Sequence, residues 1–271
     1  MKKLTILAAF MLLATASVIA QTEKTTVIIK ETDEGKETTT IVEKFFTSRL
    51  QQTLPDLYYG YLNLCNEPFG PEANIPLRSS AFEWGTYNQH TIFCTKGGHF
   101  GMTWGFGISN SYNLFSHDKV FVVGIDPNDE NKAGFMLLSD YSKSTDEGGL
   151  GHGPENNYAH RSYLRYWSLR LPLMVQAQCN INGTPLALAA GVEAEWRFGV
   201  RSFARYGGSK HTIANNFDYN PLGLNAIVSL AGDDGVLFAR MGLTEFMQAY
   251  DSDGNFKDLY QVSIGFGFNF D

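Results

Sequence analysis

Six charged residues stand opposite the apolar face of strand-like segments: Glu83, Arg170, Glu193, Glu195, Arg197 and Arg240. Three are acids and three are bases. Charges drawn into a narrow, low-dielectric space carry a large desolvation cost unless they pair, so the pattern predicts an internal ion-pair network. Such a network can plug a lumen, or it can gate one by exchanging ion-pair partners; plugging is the reading adopted. Histidine offers a second chemistry. His152 and His160 have Ser142, Ser144, Asp146 and Glu155 near them in sequence, and His90 and His99 flank a shorter connection. The chain carries neither a Gly-x-Ser-x-Gly elbow nor a His-Glu-x-x-His motif, and closeness in sequence does not make a triad. No catalytic residue is assigned, and the chain is read as not an enzyme. The acidic runs Asp126–Asn131 and Asp251–Gly254 carry oxygen ligands, but they lack the spacing and closing Glu of a calcium loop. Asp, Asn and Gly are ordinary turn residues, so no metal or cofactor is expected.

Strands must position these charges. The clearest is Phe100, Met102, Trp104, Phe106 and Ile108, interleaved with Gly101, Thr103, Gly105, Gly107 and Ser109. Period two with one large apolar face is a strand pattern, and its length suits a tilted membrane-crossing strand of about 9–11 residues. The alternation recurs with Leu169 to Ala177 opposite Ser168, Arg170 and Gln176, and with Leu186 to Phe198 opposite Glu193, Glu195 and Arg197. Leu224 to Leu230 lead into Gly232-Asp233-Asp234-Gly235, a tight-turn signal, and Leu237 to Leu243 follow opposite Arg240. The last segment sets Tyr260, Val262, Ile264, Phe266, Phe268 and Phe270 against Gln261, Ser263 and Gly265. Two weaker strands cover 57–65 and 80–87, the second with Phe82 and Trp84 outside and Glu83 inside.

Eight segments result, joined by connections at about 66–79, 88–98, 111–166, 179–184, 200–221, 232–235 and 247–257. The first, third, fifth and seventh are long; the fourth and sixth are very short. Outer-membrane barrels alternate short periplasmic turns with long outer loops. The expected fold is therefore all-β, an eight-stranded antiparallel up-and-down transmembrane β-barrel over 56–271. Phe100, Met102, Trp104, Phe106, Ile108, Phe266 and Phe268 are its expected lipid-facing residues. A soluble β-barrel with the two faces exchanged is the alternative. Its polar face would be solvated while carrying many glycines and few charges.

Composition fits this scheme. Of 271 residues, 18% are charged, 14% aromatic and 27 are glycine, and the net charge is −7 with no basic block, which excludes nucleic acid as a partner. A mean hydropathy of −0.18 does not discriminate, because a membrane barrel alternates lipid-facing and lumen-facing residues. Lys2 and Lys3 precede an apolar run from Leu4 to Ala20, which reads as a cleavable secretory signal over 1–20; an uncleaved anchor is the alternative. No run of eighteen apolar residues follows, so helical spans are not expected. Residues 21–55 form a polar periplasmic leader. Thr25–Ile29 and Thr38–Val42 flank Asp33-Glu34-Gly35 as a β-ribbon or as part of a flexible segment. Cys65 and Cys94 are a candidate bridge or, like Cys179, small buried hydrophobes.

The signal, the strand series, Leu169-Arg170-Leu171-Pro172-Leu173 and the aromatic terminal strand Tyr260–Phe270 resemble PorT-like small outer-membrane β-barrel proteins of Bacteroidetes. The resemblance covers about 57–271. It implies residence in outer-membrane lipid and insertion by the barrel-assembly machinery, with Asp271 departing from the usual final aromatic. The expected role is non-enzymatic, structural or surface-interacting. The long 111–166 segment is the site for an extracellular partner, since long loops are commonly functional. Within it Lys119–Val123 and Phe135–Leu138 are expected to extend above the membrane as a hairpin, with Tyr163, Tyr166 and Trp167 as an aromatic girdle. A small-solute or hydrophobic-compound channel is one alternative function. A lipid A-modifying barrel enzyme is another.

Overall fold

From Leu57 to Phe268 the period-two alternation resolves into strand pairing. The structure, a computed structural model, describes residues 25–33, 36–44, 52–65, 81–94, 99–115, 119–123, 132–137, 161–181, 184–206, 209–215, 218–232, 235–250 and 255–270. The strands in chain order are β1 (Thr25–Asp33), β2 (Lys36–Lys44), β3 (Leu57–Cys65), β4 (Phe82–Phe93), β5 (Phe100–Leu114), β6 (Lys119–Val123) and β7 (Ala133–Leu137). They continue with β8 (Arg161–Ile181), β9 (Thr184–Tyr206), β10 (Ser209–Ala214), β11 (Leu222–Ala231), β12 (Gly235–Gly242), β13 (Met247–Tyr250) and β14 (Phe256–Phe268). No helix occurs among the described residues. β1 and β2 pair antiparallel into a two-stranded sheet of their own.

Eight strands form a ring. β3, β4, β5, β8, β9, β11, β12 and β14 pair antiparallel in that order, and β14 closes the ring by pairing with β3. Both edges of every ring strand are thereby hydrogen-bonded. The connections alternate as the sequence indicates, and the tight turn after β11 is closed by the Gly232 N–H donating to Gly235 O at 2.9 Å.

The sheet is larger than eight strands, with twelve in all. β10 folds back on β9; β13 pairs with β14, β7 runs parallel to β13, and β6 completes a hairpin with β7. The segment 111–166, expected as a loop, thus holds the end of β5, the β6–β7 hairpin and the start of β8. β7 has strand partners on both sides, while β6 ends the sheet among the described residues. Val120, Phe121, Val122 and Phe135 are buried, β7 is occupied by β13, and Ser202 Oγ donates to Phe121 O at 2.8 Å.

The reason the strands run longer than expected is a change of polarity along the ring. Toward the short turns, large apolar side chains face outward, and Thr103, Gln176, Gln178 and Ser229 are among the residues that face inward. Toward the long connections this inverts: Leu64, Leu164, Tyr166, Val200 and Leu259 point inward and join Phe115, Phe121 and Phe246 in one apolar cluster. Tyr166 therefore does not belong to an outer aromatic girdle. It shares the inward phase of Ser168 and Arg170, and its hydroxyl donates to Gln261 Oε1. Tyr163 and Trp167 take the opposite phase, and Trp167 meets Trp84 edge-on at 5.8 Å.

One bulge adjusts the phase of β9. Arg165 pairs with Arg201 but Trp167 pairs with Phe198, so β9 carries an extra residue there. Gly199 sits in that stretch at φ 63°, a left-handed conformation that costs glycine little. Inward residues are odd-numbered up to Arg197 and even-numbered from Val200. Cys94 and Cys179 are thiols, so the Cys65–Cys94 bridge is not formed.

Candidate functional site

The ring interior gathers all six charged residues from four strands: Glu83 on β4, Arg170 on β8, Glu193, Glu195 and Arg197 on β9, and Arg240 on β12. Each is at most 4% exposed. Arg170 lies opposite Glu195 in the β8–β9 register, and its guanidinium reaches Glu195 at 3.2 Å, Glu83 at 2.8 Å and Glu193 at 3.8 Å. Arg240 contacts Glu83 directly and Glu193 at 2.7 Å. Arg197 pairs with Glu195 at 2.9 Å. Every acid meets at least one base and every base at least one acid.

Neutral groups complete the network. Arg170 donates to the Tyr58 hydroxyl at 2.8 Å and Arg240 to the Tyr87 hydroxyl at 2.7 Å, while Tyr87 donates to Glu193. Asn225 Nδ2 donates to Glu195 at 3.2 Å and Glu193 at 3.4 Å, and Ser263 accepts from Arg240 at 3.1 Å. Charge-assisted bonds of this kind offset part of the desolvation that burial imposes. Inward glycines open the room: a Cβ on Gly107 would fall 2.5 Å from the Tyr87 ring, and one on Gly223 2.4 Å from Arg197 Nη2.

Apolar layers close the network on both sides. Toward the long connections lies the cluster of Phe115, Tyr166 and Phe246, roofed by the β6–β7 hairpin. Toward the short turns, Leu54 packs with Tyr58, Tyr87, Met174 and Phe238. The chain before β3 is held there. Leu54 N–H donates to Gln89 Oε1 at 3.1 Å, Gln89 Nε2 donates to Leu54 O at 3.0 Å, and Thr53 Oγ1 donates to Gln176 Oε1 at 3.3 Å. Packing with the ring thus begins before residue 56, inside the stretch assigned to the leader.

The outer surface is the converse. Met102, Trp104, Phe106 and Ile108 on β5 and Phe266 and Phe268 on β14 are exposed, Phe106 by 50%, and Phe100 is half-buried. Leu171, Val192, Leu224, Leu237 and Tyr59 continue this apolar face on β8, β9, β11, β12 and β3.

Comparison of the chain with protein-family models, curated proteins and solved structures finds no match.

Of the four candidate histidines, His90 and His99 are described. His90 lies on the outer face with its ring 4.9 Å from Trp104, and His99 Nδ1 is 3.3 Å from Gln178 O. His152, His160, Ser142, Ser144, Asp146 and Glu155 lie outside the described residues, as do the two acidic runs at 126–131 and 251–254. Among the described residues no group of His, Cys, Asp and Glu is arranged to hold a metal.

The alternation locates the six charges. It does not locate Tyr58 and Tyr87 as their partners, because an inward tyrosine in a weak strand reads as one more aromatic. Nor does it locate Leu54, which lies outside any repeat, beside the Pro55 that separates the leader from the strand series.

Proposed function

We propose that the ring is an outer-membrane β-barrel with a plugged lumen and a non-enzymatic, structural or surface-interaction role. One observation carries the reading: charge is buried inside the ring and large apolar side chains are exposed outside it. Water rewards the opposite arrangement. Hydrocarbon rewards this one, provided that every backbone amide has an internal partner, and a closed ring of strands meets that condition. The fully paired edges of the eight strands support the same reading.

The interior supports plugging. An eight-stranded barrel has an interior about wide enough for its own side chains, and here Arg170, Arg197, Arg240, Tyr58 and Tyr87 occupy it. A solute passing through would have to separate ion pairs and dislodge the Leu54 segment. Surface interaction is assigned to the end bearing the long connections, where the 111–166 segment adds strands to the roof. Export through a cleaved signal, insertion by the barrel-assembly machinery and kinship with PorT-like proteins belong to the same proposal.

The test is fractionation of the mature protein followed by gel mobility with and without boiling. Recovery in the outer membrane with a band that shifts on boiling is the expected result. A protein recovered soluble from the periplasm, with no shift, would overturn the membrane reading and make the exposed aromatics an interface with another protein surface.

A further inference from the structure

Beyond the apolar belt, toward the long connections, the outward face of β8, β9 and β10 becomes basic. Arg165 on β8 lies directly opposite Arg201 on β9, and one step further Arg161 lies opposite Arg205. Lys210 on β10 in turn pairs with Arg205. Arg201, Arg205 and Lys210 are exposed and Arg165 is half-buried. Like charges directly opposite one another on neighbouring strands repel. Among the described residues no carboxylate pairs with Arg165, Arg201, Arg205 or Lys210. This concentration of positive charge stands on a chain whose net charge is −7.

The bulge at Gly199 creates the patch. Had the phase of Glu193, Glu195 and Arg197 continued, odd-numbered residues would still point inward, and Arg201 would face the interior. The extra residue turns Arg201 and Arg205 outward. Aromatic rings then support the cations from beneath: the Arg165 guanidinium lies 5.2 Å from the Tyr112 ring and 5.6 Å from Trp167, and Lys210 Nζ lies 3.7 Å from Phe203. Asn110 accepts from Arg165 Nε at 3.2 Å, which leaves the other guanidinium nitrogens for a ligand. Basic side chains just past an aromatic boundary sit at the depth of lipid headgroups, and arginine presents a fork that matches phosphate oxygens.

We propose that Arg165, Arg201, Arg205 and Lys210 dock the phosphate groups of anionic lipid headgroups in the leaflet around the long-connection end of the ring. This rests on the membrane-spanning reading above. The patch selects phosphate on a lipid over free phosphate, because the apolar belt below it holds the acyl chains at the same time.

The experiment uses folded mature protein in a neutral maltoside detergent, with native mass spectrometry counting bound lipid. The probes are phosphatidic acid, diacylglycerol (the same lipid without phosphate) and inorganic phosphate. A preference of about tenfold for phosphatidic acid over diacylglycerol, weakened by salt, is expected from a few such charged contacts. Arg201→Gln with Arg205→Gln should abolish the preference while leaving the heat-shifted band intact, and Arg201→Lys with Arg205→Lys should keep most of it. Equal binding of the two lipids by the wild type, or an undiminished preference in the glutamine variant, would overturn the proposal. Displacement of phosphatidic acid by an equal concentration of inorganic phosphate would assign the patch to a free anion instead. A wild-type protein without a heat-shifted band would remove the membrane reading itself, and the docking site with it.

Discussion

Arg240 touches both Glu83 and Glu193, so truncating it leaves two buried acids short of a partner. Breaking a buried ion pair from one side typically costs ~3–5 kcal/mol. Arg240→Ala should therefore lower the temperature at which the folded band converts to the unfolded one, and an unchanged transition would count against the network. The positions of the six charges were legible because each stands at fixed period opposite the apolar face of its strand. Their pairing was not, since cross-strand register depends on all eight strands together: Arg170 faces Glu195 only through the β8–β9 pairing, and reaches Glu83 across the interior. Tyr166 shows the limit of reading residue types without phase. Its neighbours Tyr163 and Trp167 do take the outer face, but counting by two from Arg170 places Tyr166 inside.

At the scale of elements, Gly199 sets which side chains of β9 face outward. Its Cβ position is open, with nothing within 4 Å, so the only demand on the residue is its φ of 63°. A side chain that resists the left-handed region should cost roughly 1–2 kcal/mol there. Gly199→Val should destabilise the folded band by that order, and Gly199→Asn by distinctly less, because asparagine tolerates this region. Equal effects of the two would mean that the bulge relaxes without cost. The cores of the ring strands were legible from alternation, whereas their upper ends were not. Past Ile108 the outer face of β5 turns to Asn110, and on β8 it carries Arg165 while Leu164 points inward. A pattern defined as apolar-outside stops where the surroundings change, although the strand does not. The β6–β7 hairpin was foreseeable from its two apolar runs, but its burial against the roof depends on β13, a strand of only four residues with no alternation long enough to read.

For the whole molecule, the exposed apolar face and the buried charges make one claim about surroundings. Phe106 is half exposed in the middle of the outer face of β5. If that face meets hydrocarbon, Phe106→Arg should disfavour insertion by about 2–4 kcal/mol, seen as loss of the heat-shifted band from outer-membrane fractions. An arginine variant that accumulates normally would place Phe106 in water or in a protein contact. The most direct measurement uses the native fluorophores, because the chain's four tryptophans, Trp84, Trp104, Trp167 and Trp196, all take the outward phase. The protein would be reconstituted into vesicles whose acyl chains carry bromine, and its tryptophan fluorescence compared with that in unbrominated vesicles and with added iodide. Lipid contact predicts strong quenching by the brominated chains and little by iodide in the water. Quenching by iodide with none from the brominated chains would contradict it, and would mean that the apolar face of this ring does not lie in a membrane.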